Sequence, residues 1–144
     1  MSSPSAVVQQ FFEQYERSRT TLDLGVIGAQ YPDVAMFADP SGARATEKQA
    51  ILASVPKGAA FLKALGHKST KVVSLDEARL DERYVMARVR FEWRFEKAPA
   101  AAIDVPIETT FVLRVEAGAA QIVFQLEHQS FQQALRAYGV LPQA

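Results

Sequence analysis

Three consecutive stretches in the second half of the chain alternate in hydrophobicity, and that period of two constrains the fold more than any other feature. Between Arg83 and Lys97 the odd positions are Val85, Ala87, Val89, Phe91, Trp93 and Phe95, while the even ones run Tyr84, Met86, Arg88, Arg90, Glu92, Arg94, Glu96. From Ile103 to Glu116, Ile103, Val105, Ile107, Phe111, Leu113 and Val115 share one side, with Thr109 their only polar companion. From Ala120 to Gln129, Ile122, Phe124 and Leu126 oppose Val123, Gln125, Glu127 and Gln129. Successive side chains of a strand point to opposite faces, so stretches of this length predict long antiparallel strands with one dry and one wet face. Continued by one step, the third stretch places His128 on its dry face.

The first half reads as helical. Ser3 before Pro4 suits a helix start, and Val8, Phe11, Phe12 and Tyr15 recur at helical spacing. Thr20 with Asp23 predicts the start of a short second helix through Val26 and Ile27, ended by Pro32. Val34 to Asp39 reads as a strand closed by the turn Asp39-Pro40-Ser41-Gly42. Thr46-Glu47-Lys48-Gln49 reads as a capping box for a helix that Pro56 should kink or break, with a continuation to Gly66. His67 to Leu80 is a fourth strand candidate, and Ser130-Phe131-Gln132-Gln133 caps a last helix that stops at Gly139. Helices followed by a meander predict a segregated α+β fold.

A chain of 144 residues with 49% hydrophobic content supports one domain, taken as 1–144, with a single core. Zero formal net charge gives no field for nucleic acid or an anionic membrane and little repulsion between copies. The absence of cysteine excludes disulfides, thiolate nucleophiles and cysteine metal sites, and two well-separated histidines argue against a metal centre. Neither a signal peptide nor an apolar stretch of membrane-spanning length is evident, so the expectation is a cytoplasmic protein. No glycine-rich phosphate loop or nucleophile elbow occurs, and no cofactor is expected.

Three segments carry a resemblance. Phe37-Ala38-Asp39-Pro40-Ser41-Gly42, Trp93 within the long middle strand, and Ile122-Val123-Phe124-Gln125-Leu126-Glu127-His128-Gln129 resemble, in kind and order, the nuclear transport factor 2-like superfamily, and in particular its SnoaL-like, polyketide-cyclase-related branch. The resemblance runs from about Val7 to Leu141. It implies a cone in which a strongly curved antiparallel sheet wraps around the helices, a pocket on the concave face, and often a homodimer through the convex face. Members include isomerases, dehydratases, epoxide hydrolases, cyclases and non-catalytic proteins, so fold alone assigns no activity.

On this reading His128 is the first candidate for general acid or base, since histidine titrates near neutrality. Asp39, at the end of the first strand, is the second; ordinary turn chemistry before Pro-Ser-Gly is the alternative. Phe37, Phe91, Trp93, Phe111 and Phe124 are expected to line an apolar pocket, with Tyr31 beside them and Thr109 supplying one hydrogen bond. His67, straight after Gly66, is expected to be exposed at a loop. The wet face, where Tyr84, Met86, Val112 and Val123 interrupt alternating charges, is expected to be a homodimer interface. Three functions stay open: a binder of a small hydrophobic molecule, a cofactor-independent isomerase, dehydratase or cyclase, and a non-catalytic dimerisation module.

Overall fold

The first two alternating stretches form β4 (Tyr84–Phe95) and β5 (Ile103–Glu116), paired antiparallel without interruption from Tyr84↔Arg114 to Phe95↔Ile103. The computed structural model describes residues 4–143. The other elements are α1 (Ala6–Thr21), α2 (Leu24–Ala29), β1 (Val34–Asp39), β2 (Gly42–Glu47), α3 (Lys48–Ala64), β3 (His67–Arg79), β6 (Ala119–Glu127) and α4 (Phe131–Ala137). They make the α+β architecture expected: a curved, unclosed six-stranded sheet in the order β2-β1-β6-β5-β4-β3. All pairs are antiparallel except β1 with β6.

The inner face of the sheet holds the core. Val85, Ala87, Val89, Phe91 and Phe95 of β4 and Val105, Ile107, Phe111 and Leu113 of β5 are buried, as the alternation requires. The apolar stripe of α1 lies against them: Phe12 meets Phe111 at 5.0 Å between ring centroids, and Tyr15 meets Phe91 at 5.6 Å. The start of α1 is tied down by a strand carboxylate, since the Ser5 amide and hydroxyl both donate to Glu77 Oε1 of β3, at 3.2 and 2.8 Å. The amide of Val72 in β3 likewise donates to Glu16 of α1, beside the bulge that sets Val73 outside the strand register.

Local details depart from the sequence expectations at helix ends. Ser3 lies outside the described residues; the N-cap of α1 is Ser5. Thr20 belongs to α1, and Asp23 alone caps α2 by accepting from the Val26 amide at 3.1 Å. Thr46 pairs within β2, so Glu47 occupies the N-cap of α3 and the expected capping box does not form. α3 runs unbroken through Pro56. Ser130 caps α4 as expected, accepting from the Gln133 amide.

Gly66 joins α3 to β3 at φ +92°, and a Cβ there would stand 2.5 Å from the Glu96 carbonyl oxygen. The same residue's carbonyl accepts from the Glu96 amide at 2.8 Å, so the backbones cannot part without losing that bond. Gly66→Ala combines a left-handed conformation with a backbone clash and is expected to destabilise the protein by roughly 2 kcal/mol or more. The midpoint of a urea transition measures it; an unchanged midpoint would mean that this connection relaxes freely.

Candidate functional site

The third alternating stretch does not behave as its letters suggest. Val112 of β5 pairs with Phe124, but its neighbour Leu113 pairs with Ile122, leaving Val123 as an extra residue on β6. A bulge of one residue sends every following side chain to the opposite face. Ile122 faces inward beside Leu113, but beyond the bulge the inward residues are Gln125, opposite Phe111, and Glu127, opposite Thr109. Phe124, Leu126 and His128 turn outward.

Gln125 and Glu127 end a hydrogen-bonded chain that crosses the inner face. It begins at Arg19, in the last turn of α1 and four residues beyond Tyr15 on the same stripe. The Arg19 guanidinium lies 3.9 Å from the Tyr15 ring centroid; its Nη1 donates to Ser18 Oγ (3.0 Å) and Gln30 Oε1 (2.7 Å), and its Nη2 to Tyr31 Oη (3.2 Å). Ser18, Gln30 and Tyr31 are all buried. Arginine can only donate, so the Tyr31 hydroxyl, having accepted, directs its own proton to Gln125 Oε1 at 3.2 Å. The Gln125 amide then donates to Glu127 Oε1 at 2.9 Å, while the buried Thr109 hydroxyl donates to Glu127 Oε2 at 2.9 Å. One permanent cation thus fixes the polarity of every bond up to the carboxyl.

Burial decides the electrostatics. It raises the Glu127 carboxyl above the usual carboxylate range, against the lowering effect of the Gln125 and Thr109 hydrogen bonds. Burial likewise raises both Tyr15 and Tyr31, against the nearby Arg19 charge, so both stay neutral donors at any ordinary pH. Glu127 is only partly covered, and Phe37, also partly covered, sits beside Gln125 in the sheet and packs on Tyr31 at 6.0 Å.

The expected site residues separate accordingly. Thr109 and Tyr31 join this chain, and Phe37 packs on Tyr31. Phe91 and Phe111 are buried in the core, 6.3 Å apart with Tyr15 and Phe12 packed on them, rather than lining an open wall. Trp93 faces inward at the other end of β4, and its Nε1 is buried with no acceptor among the described residues. Phe124 is corrected to the outer face, between Met36 and Val112. His128 is corrected likewise: it is exposed on the outer face, its Nε2 2.6 Å from Thr110 Oγ1, in a shallow hollow of about 260 Å³ with Arg90, Pro106, Glu108, Gln129 and Tyr138. The bulge at Val123 is the cause in both cases. Asp39 closes the β1–β2 hairpin, accepting from the Ser41 amide at 2.8 Å and from the Ser41 hydroxyl, which hold its carboxyl below the usual range. His67 is not exposed: it is half-buried against Trp93 and Phe95.

The alternation hid Gln125 and Glu127. Arg19 was legible, because it stands seven residues after Phe12 and four after Tyr15, on the apolar stripe of α1 where a cation needs internal partners. Among the described residues no group of three metal-binding side chains converges, and no helix is long and apolar enough to cross a membrane.

No protein-family profile matches the sequence, and no curated protein does. Solved structures do. Aln2 from a Streptomyces species superposes with a TM-score of 0.72 at 18% identity, covering 93% of this chain and 98% of that one. A protein from Novosphingobium aromaticivorans described as nuclear transport factor 2-like with a cystatin-like fold gives 0.70 at 12% identity, covering 95% and 87%. A nuclear transport factor 2-like protein from Cytophaga hutchinsonii gives 0.64 at 14% identity, covering 86% and 96%. Together with the curved sheet wrapped around α1, these matches show that the chain has the nuclear transport factor 2-like fold.

Proposed function

We propose that the inner face of the sheet binds a small, largely apolar molecule and carries out proton transfer on it without a cofactor, with Glu127 as the acid or base. The single observation that carries this reading is a carboxyl lifted by burial, held on both oxygens by neutral donors, at the end of a chain whose direction Arg19 fixes. A carboxyl tuned upward works nearer to neutral pH, where isomerisation, dehydration and cyclisation all need one proton taken and one given. Phe37 and Tyr31 pack together beside Gln125, the residue that donates to it. In this reading Glu127 takes the part that the alternation offered to His128, and Asp39 serves the hairpin. The test is a carbon-13 titration of the glutamate side-chain carboxyls, with Glu127→Gln for assignment, repeated with steroid-, terpene- and polyketide-like compounds. The expected result is a Glu127 midpoint above about 4.5 that shifts with at least one compound. A midpoint in the ordinary range, unmoved by every compound, would remove the basis of the proposal.

A second property has its own support. Across the outer face, Met36, Phe124, Val112, Met86 and Ala78 stand in register on five neighbouring strands, an unbroken apolar row. Met36 is 43% exposed, and Val34 on the same face of β1 is 52% exposed. We infer a homodimer packed through this row, since a two-fold interface needs a self-complementary patch and the chain carries no net charge to oppose it. Placing Glu at Met86 or Val112 should convert the dimer to monomer in sedimentation equilibrium while leaving the fold intact. A parent protein that is monomeric at tens of micromolar would end this reading.

A further inference from the structure

Beside the outer apolar row the sheet parts. β1 and β6 pair only where residues 36–38 run along 124–126, so ahead of that stretch the two strands are not joined. Val34 and the bulged Val123 both line the gap, together with Ala29 and Pro32 from the α2–β1 connection, and the space is a hollow of about 610 Å³. Hydrogen bonds stitch its surroundings. The Ile122 amide donates to the Gln30 carbonyl at 2.7 Å, and the Gln121 side-chain amide donates to the carbonyls of Ala29 and Tyr31, both at 3.4 Å. Among the described residues that line the hollow, only Arg114 and Glu116 are charged. Arg114 stands in register between Tyr84 and Gln121, neither of them an acid. Glu116 meets it by one contact, Oε2 to Nη2 at 3.1 Å, and the glutamate side chain is 63% exposed.

An apolar floor with one guanidinium at its side selects its ligand. A hydrocarbon chain is drawn out of water by Pro32, Val34 and Val123, and a carboxylate matches the planar fork of an arginine. A ligand cation would meet Arg114 with no free acid to answer it. Glu116 is the carboxylate a ligand has to displace, and an exposed single-contact pair of this kind holds weakly. We propose that this outer-face hollow is a binding site for an amphipathic carboxylate of the fatty-acid type, its chain on Pro32, Val34 and Val123 and its head group on Arg114 in place of Glu116. The site lies on the opposite face of the sheet from Glu127 and uses none of the proton-transfer chemistry.

The probes are octanoate, kept below micelle formation, and octanol, which share a chain and differ in the head group. The readout is the valine methyl region of a proton–carbon spectrum, with Val34→Ala and Val123→Ala to assign the two signals. Octanoate should move both signals with saturation and bind more tightly than octanol. A charge-assisted hydrogen bond is worth roughly tenfold in affinity, so Arg114→Gln should weaken octanoate by about that factor and leave octanol unchanged. Glu116→Gln removes the competing carboxylate and should strengthen octanoate by roughly twofold. Glu127→Gln should bind octanoate as the parent does, which separates this site from the proton-transfer proposal. Valine signals unmoved by octanoate overturn the site, as does octanol binding as tightly as octanoate. If Arg114→Gln fails to fold, Glu116→Gln decides: octanoate affinity unchanged or weakened there overturns the assignment of the head group to Arg114. Octanoate binding that weakens as protein concentration rises would show the hollow covered by a second copy of the chain, and would overturn the site in favour of the interface.

Discussion

Glu127→Gln is expected to slow any proton-transfer reaction of this protein by about a hundredfold or more, while raising its stability at neutral pH. The first effect follows from removing a positioned acid or base. The second follows from linkage. Burial raises the folded-state pKa of Glu127 above its ordinary 4.5. Between 4.5 and the folded value the native protein therefore holds a proton that the unfolded chain has lost, and stability falls as pH rises through that window. Above it, the native state bears the full cost of a buried carboxylate. Glutamine imitates the protonated carboxyl, one acceptor and one donor, and carries no such cost. The variant should thus unfold at higher urea than the parent at pH 8, and the difference should shrink below about pH 4.5. His128→Gln is the control: on the outer face, it should change turnover by less than about twofold, a difference worth only a few tenths of a kcal/mol. Equal losses in the two variants would point away from the inner face.

That contrast marks how far the letters reached. The alternation of β4 and β5 placed every inward residue correctly, because a strand buried on one face and paired without interruption leaves the period of two undisturbed. The same rule failed on β6 at one residue. Val123 is apolar like its neighbours, so neither a glycine nor a polarity change announces the bulge, and Ile122-Val123-Phe124 reads equally well in either phase. Every side chain after it was inverted: His128 and Phe124 came to the outside, Gln125 and Glu127 to the inside. The cap residues failed for a different reason. Thr46 has good chemistry for a helix start, but the β1–β2 hairpin claims it as a strand residue, pairing it with Ala35. Tertiary pairing outweighs a local cap worth about 1 kcal/mol.

Arg19→Met is expected to destabilise the protein by about 3 kcal/mol. Methionine keeps the length and apolarity of the stem, so the loss reports the guanidinium and not the packing. Without it, Gln30 Oε1 is a buried acceptor whose 2.7 Å donor has gone, and the Tyr15 ring loses the cation 3.9 Å from its centroid. For a chain of this size the melting temperature should drop by roughly 10 °C. The consequence also travels. Once Tyr31 Oη no longer accepts from Arg19, nothing forces its proton toward Gln125, and the Gln125 amide is free to present its oxygen to Glu127 instead of its nitrogen. A carboxylate facing that oxygen is disfavoured, so the Glu127 midpoint should move further upward in Arg19→Met. Arg19→Lys restores the charge without the planar fork and should recover part of the stability but not the directed chain. Urea unfolding and the carboxyl titration of both variants together decide the matter. A stability loss below about 1 kcal/mol, or a Glu127 midpoint unchanged in Arg19→Met, would show that the carboxyl is tuned by burial alone and that Arg19 serves only the corner between α1 and α2.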